Sequence, residues 1–178
     1  MGVQTETGGQ NGRQSPVELA GKYLSFRLGG EDYGLKILRV QEIIGMQEIT
    51  GIPRTPDFVK GVINLRGKVI PVIDLRLKFG MEEAEVSRKT CIIVVQVGGA
   101  DEGDVIMGVV VDEVSEVLEI SSEQIEPPPG FGARIETDFI LGMAKTEDAV
   151  KILLDLDRVL TSSELAAITG EARMEEMV

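Results

Sequence analysis

Two stretches of this chain recur at fixed offsets, and a duplicated chain is constrained to fold as two versions of one unit. Adding 74 carries Gly34, Val40 and Glu42 onto Gly108, Val114 and Glu116, all identical, and Leu35, Ile37, Ile43 and Ile44 onto Val109, Val111, Val117 and Leu118. Adding 81 carries Gly61, Val69, Asp74 and Leu75 onto Gly142, Val150, Asp155 and Leu156, with no gap from Lys60 to Leu75. The change of offset places seven extra residues in the second half, between Leu118 and Phe139. Short apolar strands align easily by chance, but identical Gly and Asp in matching contexts favour real duplication. Two halves of roughly 65 residues, each with about five short strands, predict two small β-barrels rather than one sheet. Each barrel is too small to bury much alone, so packing against its twin couples stability to the relative placement of the halves.

Lys60 to Arg76 reads K-G-V-I-N-L-R-G-K-V-I-P-V-I-D-L-R. Two apolar runs, Val62 to Leu65 and Val69 to Ile73, meet across Arg66-Gly67, and a two-residue connection with glycine second suits a tight hairpin. A strand with one wet face alternates apolar with polar, whereas both faces here are rich in Val and Ile. The hairpin is therefore buried on two sides or leaves apolar surface for a partner.

Around it, the pattern predicts an N-terminal arm without structure (1–21), a mainly β region (22–168) and a flexible tail (169–178). Within the middle region, barrel 1 covers about 22–80, a charged linker 81–89, barrel 2 about 90–160 and a helix 162–168, started by the capping box Thr161-Ser162-Ser163-Glu164. Tyr23 to Leu28 and Tyr33 to Ile37 are strands around a Gly29-Gly30 turn; Leu38 to Thr50 is a turn leading into a strand. Prolines at 53 and 56 exclude regular structure there, and Leu75 to Gly80 suits one helical turn. Strands at Cys91 to Val97 and Val105 to Val111 flank an acidic, glycine-rich loop, 98–104. That loop resembles a calcium loop only loosely, because the glutamate at the required spacing is missing. Phe139 to Leu156 is again strand, turn, strand.

Composition removes whole classes of function. Thirty acidic against eighteen basic residues give a net charge of −12, which repels a phosphate backbone and excludes nucleic acid as a partner. No apolar run approaches the roughly 20 residues that span a bilayer, and the first residues lack a signal-peptide layout, so a cytoplasmic protein without membrane insertion is expected. With no histidine, Ser-His and Cys-His nucleophile pairs and every His-containing metal site are absent. Cys91 stands alone in an apolar strand and reads as a small buried residue. There is no Walker loop and no G-x-G-x-x-G, and no cofactor is implied. The matched pair Asp74 and Asp155 invites comparison with an aspartic-protease dyad, yet neither has the small hydroxyl and glycine neighbours such a dyad needs, so each is expected to cap a turn.

Tyr33-Gly34-Leu35 to Val40-Gln41-Glu42-Ile43, Pro53-Arg54-Thr55-Pro56, Lys60 to Gly67 and Val69-Ile70-Pro71-Val72-Ile73-Asp74-Leu75-Arg76 together resemble the CheW family of bacterial chemotaxis coupling proteins. The resemblance covers about residues 20–168, and N-L-R-G followed by P-V-I-D-L-R is its most specific part. It implies two pseudo-symmetric five-stranded SH3-like β-barrels packed together. It also implies a non-enzymatic adaptor that bridges chemoreceptor cytoplasmic tips to the regulatory domain of the histidine kinase CheA, at the inner face of the membrane through receptor arrays. By position it assigns Val40, Glu42, Gly61, Asn64 and Arg66 to a groove for the receptor tip, and a region around Ile49, Ile52 and Phe58 to the kinase. Arg66 offers a planar five-donor fork at a turn, and Gly61 suits close backbone approach. Plainer readings stand beside these: Val40 as core, Gly61 as a bulge, Arg66 as a solvated turn residue. A Gly61→Val variant is expected to stay folded while its receptor binding weakens. The second half departs at the matching turn, with Glu147-Asp148 in place of Arg66-Gly67, so the two barrels cannot present equivalent sites.

Overall fold

Runs rich in Val and Ile, broken by Gly and Pro, form the strands of this chain. The computed structural model describes residues 14–98, 105–129, 138–161, 163–164 and 168. After a capped turn α1 (Pro16–Leu19), repeat 1 contributes β1 (Gly21–Leu28), β2 (Glu31–Lys36), β3 (Val40–Gly45), β4 (Val59–Leu65), β5 (Lys68–Asp74) and the single-turn helix α2 (Leu75–Lys78). Repeat 2 contributes β6 (Cys91–Val97), β7 (Val105–Val111), β8 (Glu113–Ile120), β9 (Ile125–Glu126), β10 (Ile140–Lys145), β11 (Val150–Leu154) and α3 (Leu156–Val159). The fold is mainly β, in two sheets, as expected.

The duplication is visible in fine detail. A register shift between Val59 and Gly61 in the β4–β5 pair recurs between Ile140 and Gly142 in the β10–β11 pair. The bond from Asp74 N to Phe58 O, 2.8 Å, recurs from Asp155 N to Phe139 O, 2.8 Å. Both sites are related by the offset of 81.

The strand neighbours correct the expected division of the chain. One sheet runs β8-β1-β2-β11-β10-β9 and the other β3-β6-β7-β5-β4, so neither contiguous half, 22–80 or 90–160, builds a sheet by itself. Each repeat lends its first hairpin to the other: β2 lies parallel to β11 (Leu153↔Gly34) and β7 lies parallel to β5 (Val72↔Gly108). Glycine makes these exchanged contacts possible. A Cβ at Gly34 would lie 2.9 Å from Leu153 Cδ2, and one at Gly108 would lie 2.7 Å from Ile92 Cγ2 and 3.4 Å from Val72 Cγ2. Periodicity marks strands but does not say which strand lies alongside, because pairing is decided by packing across the fold.

Burial on both strand faces explains the Val- and Ile-rich hairpin. Ile70 and Val72 of β5 join Ile63, Ile92, Val94 and Val110 in the interior of one sheet, while Ile73 turns into a larger core shared between the sheets. That shared core holds Phe26, Leu35, Ile93, Val95 and Val109, all fully buried, each contributing about 1.5–3 kcal/mol by leaving water. A smaller cluster under the other sheet packs Leu19, Tyr23, Ile120 and Leu153. Cys91 opens β6 half-buried against the shared core, where burial raises its thiol pKa.

The arm expected up to Gly21 is ordered at its end. Ser15 caps α1 with a reciprocal Glu18 capping box, Leu19 is buried, and the Tyr23 hydroxyl donates to Leu19 O at 2.7 Å. The missed signal was Ser15-Pro16-Val17-Glu18, a capping box with Pro at the first helical position. Thr161 and Glu164 form the capping box that was expected: Glu164 N donates to Thr161 Oγ1 and Thr161 N to Glu164 Oε1. Residues 81–87 carry no regular structure, yet Lys60 pairs with Glu83 and Arg76 donates to Glu82 O, which ties the linker down. The calcium-like loop beyond Gly98, residues 1–13 and the tail lie outside the described residues.

Candidate functional site

The β4–β5 hairpin ends in a turn whose central residues, Arg66 (φ 51) and Gly67 (φ 88), both have positive φ, the geometry of a type I′ turn. Asn64 closes it, its Oδ1 accepting from Gly67 N at 2.8 Å. The turn throws the Arg66 side chain across to β3, where Nη1 lies 3.3 Å from Glu42 Oε1 and Nη2 bonds Oε2. Hydrogen bonds to Glu42 raise the pKa of this exposed guanidinium. Since β3 and β4 are the two edges of their sheet, the ion pair shows that the sheet curls until its edges meet at this corner.

Beside the corner runs a groove of about 560 Å³, lined by Gln47, Glu48, Val62, Asn64 and Val69 among others. Val69 is 69% exposed on the hairpin. Sequence reasoning passed over it because its neighbours in the run, Ile70 and Val72, are core, and composition does not reveal which strand end stands free of the sheet.

Not all the assigned residues share this surface. Glu42, Asn64 and Arg66 come together, and Val40 lies half-buried at the start of β3 against the shared core. Gly61 is buried at the β4 bulge with φ 138, and a Cβ there would lie 2.0 Å from Thr50 O, so its role is to let the Thr50–Val62 bridge form. The expectation that Gly61→Val stays folded is therefore corrected. Phe58 is likewise corrected as a surface contact: it is 6% exposed within the shared core, with the Lys78 ammonium 4.9 Å from its ring centroid. Ile49 packs half-buried against the interior of its sheet, and Ile52 is half-buried where the Thr55 hydroxyl donates to its carbonyl at 2.9 Å.

Asp74 and Asp155 do not form a dyad. Asp74 Oδ1 accepts from Arg76 N at 2.9 Å and Asp155 Oδ1 from Asp157 N at 3.1 Å, each capping its own turn. Burial raises the pKa of both, with the capping hydrogen bonds pulling the other way. A raised native pKa means the folded state binds protons more readily, so Asp74 stabilises least when fully ionised, and stability falls as pH rises from 3.8 through its native pKa. Asp74→Asn keeps the acceptor and removes the buried charge, and is expected to flatten this dependence in urea titrations between pH 4 and 7. Asp74→Ala loses the cap and is expected to cost about 1–2 kcal/mol at pH 7. Among the described residues no cluster of His, Cys, Asp or Glu could hold a metal ion, and no helix is long and apolar enough to cross a membrane.

Comparison with known proteins matches residues 22–164 to the family model described as CheW-like domain. The chain is 41% identical to a chemotaxis protein CheW of Klebsiella aerogenes over 85% of its own length and 89% of that protein. It is 36% identical to the chemotaxis protein CheW of Rhizobium meliloti, covering 81% and 90% of the two chains. Among solved structures, the crystal structure of the scaffolding protein TtCheW from Thermoanaerobacter tengcongensis superposes with a TM-score of 0.71 at 40% identity, covering 82% of this chain and 96% of that one. A shared fold, the N-L-R-G hairpin tip and matches along almost the whole length of these relatives lead to one conclusion: the chain belongs to the CheW-like domain family.

Proposed function

We propose that this protein is a non-enzymatic chemotaxis adaptor, coupling the cytoplasmic tip of methyl-accepting chemoreceptors to the regulatory domain of the histidine kinase CheA at the inner face of the membrane. The observation that carries this reading is the corner where Arg66 crosses to Glu42 beside an open groove with an exposed Val69. A rigid turn holding a guanidinium in the bidentate grip of a carboxylate presents fixed donors and acceptors to a helical hairpin, while the groove takes an apolar side chain. Glu42, Asn64 and Arg66 form the receptor surface, with Val40 packed behind it against the shared core and Gly61 permitting its shape rather than touching the partner. Ile49 and Ile52 belong to the kinase side.

Co-sedimentation with a receptor signalling fragment and CheA tests the proposal. Wild type is expected to assemble the ternary complex. Arg66→Glu sets two carboxylates against each other at an exposed corner, and is expected to weaken receptor binding at least about tenfold while circular dichroism stays unchanged. Receptor binding at wild-type strength by Arg66→Glu would place the receptor elsewhere.

A further inference from the structure

Both sheets need strands from both repeats, so contacts between repeats decide whether the chain closes on itself. These contacts are lopsided. Arg76 Nε lies 3.0 Å from Asp112 Oδ1, and Asp112 Oδ2 accepts from Gly29 N at 2.8 Å. At the other junction Arg39 Nη2 lies 2.6 Å from Asp157 Oδ2, and Asp157 Oδ1 accepts from Gly98 N at 3.2 Å. Arg76 and Asp157 are related by the offset of 81. Arg39 and Asp112 sit on the matching connections β2 to β3 and β7 to β8, one residue out of step. The two junctions are thus versions of one clamp, and repeat 1 supplies both arginines while repeat 2 supplies both aspartates.

A buried contact is divided in the same way. Lys151 of β11, 8% exposed, donates to Ser25 Oγ at 3.2 Å and to Asp32 Oδ2 at 3.3 Å, both on the hairpin lent by repeat 1. The matching positions in the other sheet are Ile70 for Lys151 and Ile106 for Asp32 by the two offsets. Val94 matches Ser25, because Ser25 pairs with Gly34 as Val94 pairs with Gly108. Ile70, Val94 and Ile106 pack together in an apolar cluster. One sheet closes on a lysine with polar partners, its twin on three aliphatic side chains.

Pairing like with like would spoil every one of these contacts. Two first repeats would bring Arg76 to Arg39 and Asp32 to Ile70, and would leave the Gly29 amide without its carboxylate. Two second repeats would bring Asp157 to Asp112 and bury Lys151 against Ile106 and Val94. Like charges and an unpaired buried ammonium both oppose association. We propose that Arg39, Arg76, Asp112, Asp157 and the Lys151 contact make the two repeats complementary partners, so that each first repeat accepts a second repeat and rejects another first. Like repeats, whether in one chain or in two copies, are then kept from pairing, whereas a hairpin exchanged between copies would remake the same mixed contacts.

Exchanging charges in the full-length chain tests this. The double variant R39D/D112R keeps the net charge, yet makes mixed pairing repulsive and like pairing attractive at the clamps. The fourfold variant R39D/R76D/D112R/D157R restores attraction in mixed pairing with every sign inverted. Each is refolded from urea at low ionic strength beside wild type and examined by sedimentation velocity. The double variant is expected to show at least a tenfold higher dimer fraction than wild type, or to lose folded monomer, and the fourfold variant to recover most of the folded monomer, short of wild type because arginine cannot accept from Gly29 N or Gly98 N. A double variant as monomeric and as stable as wild type, or a fourfold variant no better than the double, overturns the proposal.

Discussion

Gly61→Val is expected to be the most damaging single substitution at the candidate site, lowering stability by about 3 kcal/mol or more. Three costs act together. The backbone there has φ 138, where a β-branched side chain costs roughly 1–3 kcal/mol of strain. The new Cβ would lie 2.0 Å from Thr50 O and 2.7 Å from Thr50 C, backbone atoms that cannot swing aside as a side chain can. Relieving that overlap separates the bridge in which Thr50 N and Val62 N each donate to the other residue's carbonyl at 2.9 Å, at about 1 kcal/mol per bond. Gly142, its counterpart in repeat 2, supplies the contrast. Its backbone carries no such φ, and a Cβ would lie 3.0 Å from Ile125 Cγ2 and 3.2 Å from Glu126 O, so Gly142→Ala is expected to cost only about 1 kcal/mol. Urea midpoints of the two variants, compared at equal m-value, check the difference; near-equal losses would show that the Thr50 approach is not what repeat 1 protects.

Phe58→Ala is expected to remove about 3–5 kcal/mol of stability. The ring lies in the core shared by both sheets, next to Lys78, and the Phe58 carbonyl accepts the bond that positions Asp74 as a cap. Losing the ring leaves a cavity where the sheets meet, so thermal unfolding should shift strongly while the fraction still folded keeps the proposed kinase binding. Ile52→Ala removes a half-buried side chain outside the three apolar clusters, and its stability loss is expected to stay below about 1 kcal/mol. A selective loss of kinase binding in Phe58→Ala at unchanged stability would return this residue to a surface role.

Much of the site was legible because turns have strict local chemistry. Asn64-Leu65-Arg66-Gly67 specifies a I′ hairpin almost alone, since positive φ at two successive positions and an Asn side chain that can bond Gly67 N leave few other structures. The Arg66–Glu42 contact was not legible as a contact. Its members lie 24 residues apart on opposite edges of one sheet, and only the curl of that sheet joins them. Phe58 was misread for a related reason. After prolines at 53 and 56 an aromatic residue looks like the rim of a loop, and its turn inward follows from β4 beginning at Val59 alongside the end of β5.

By itself the sequence determined most of the strands and turns, the duplication and the family, because periodicity, Gly and Asp positions and short motifs are local or repeat at fixed offsets; β8 and β9 were not read from it. Only the tertiary structure decided which strands share a sheet. Parallel contacts between β2 and β11 and between β7 and β5 depend on glycine clearances and charge partners more than 30 residues away along the chain, and no pattern within a single strand records its neighbour. The halves that look like separate barrels in sequence are, in space, two sheets that each repeat completes for the other.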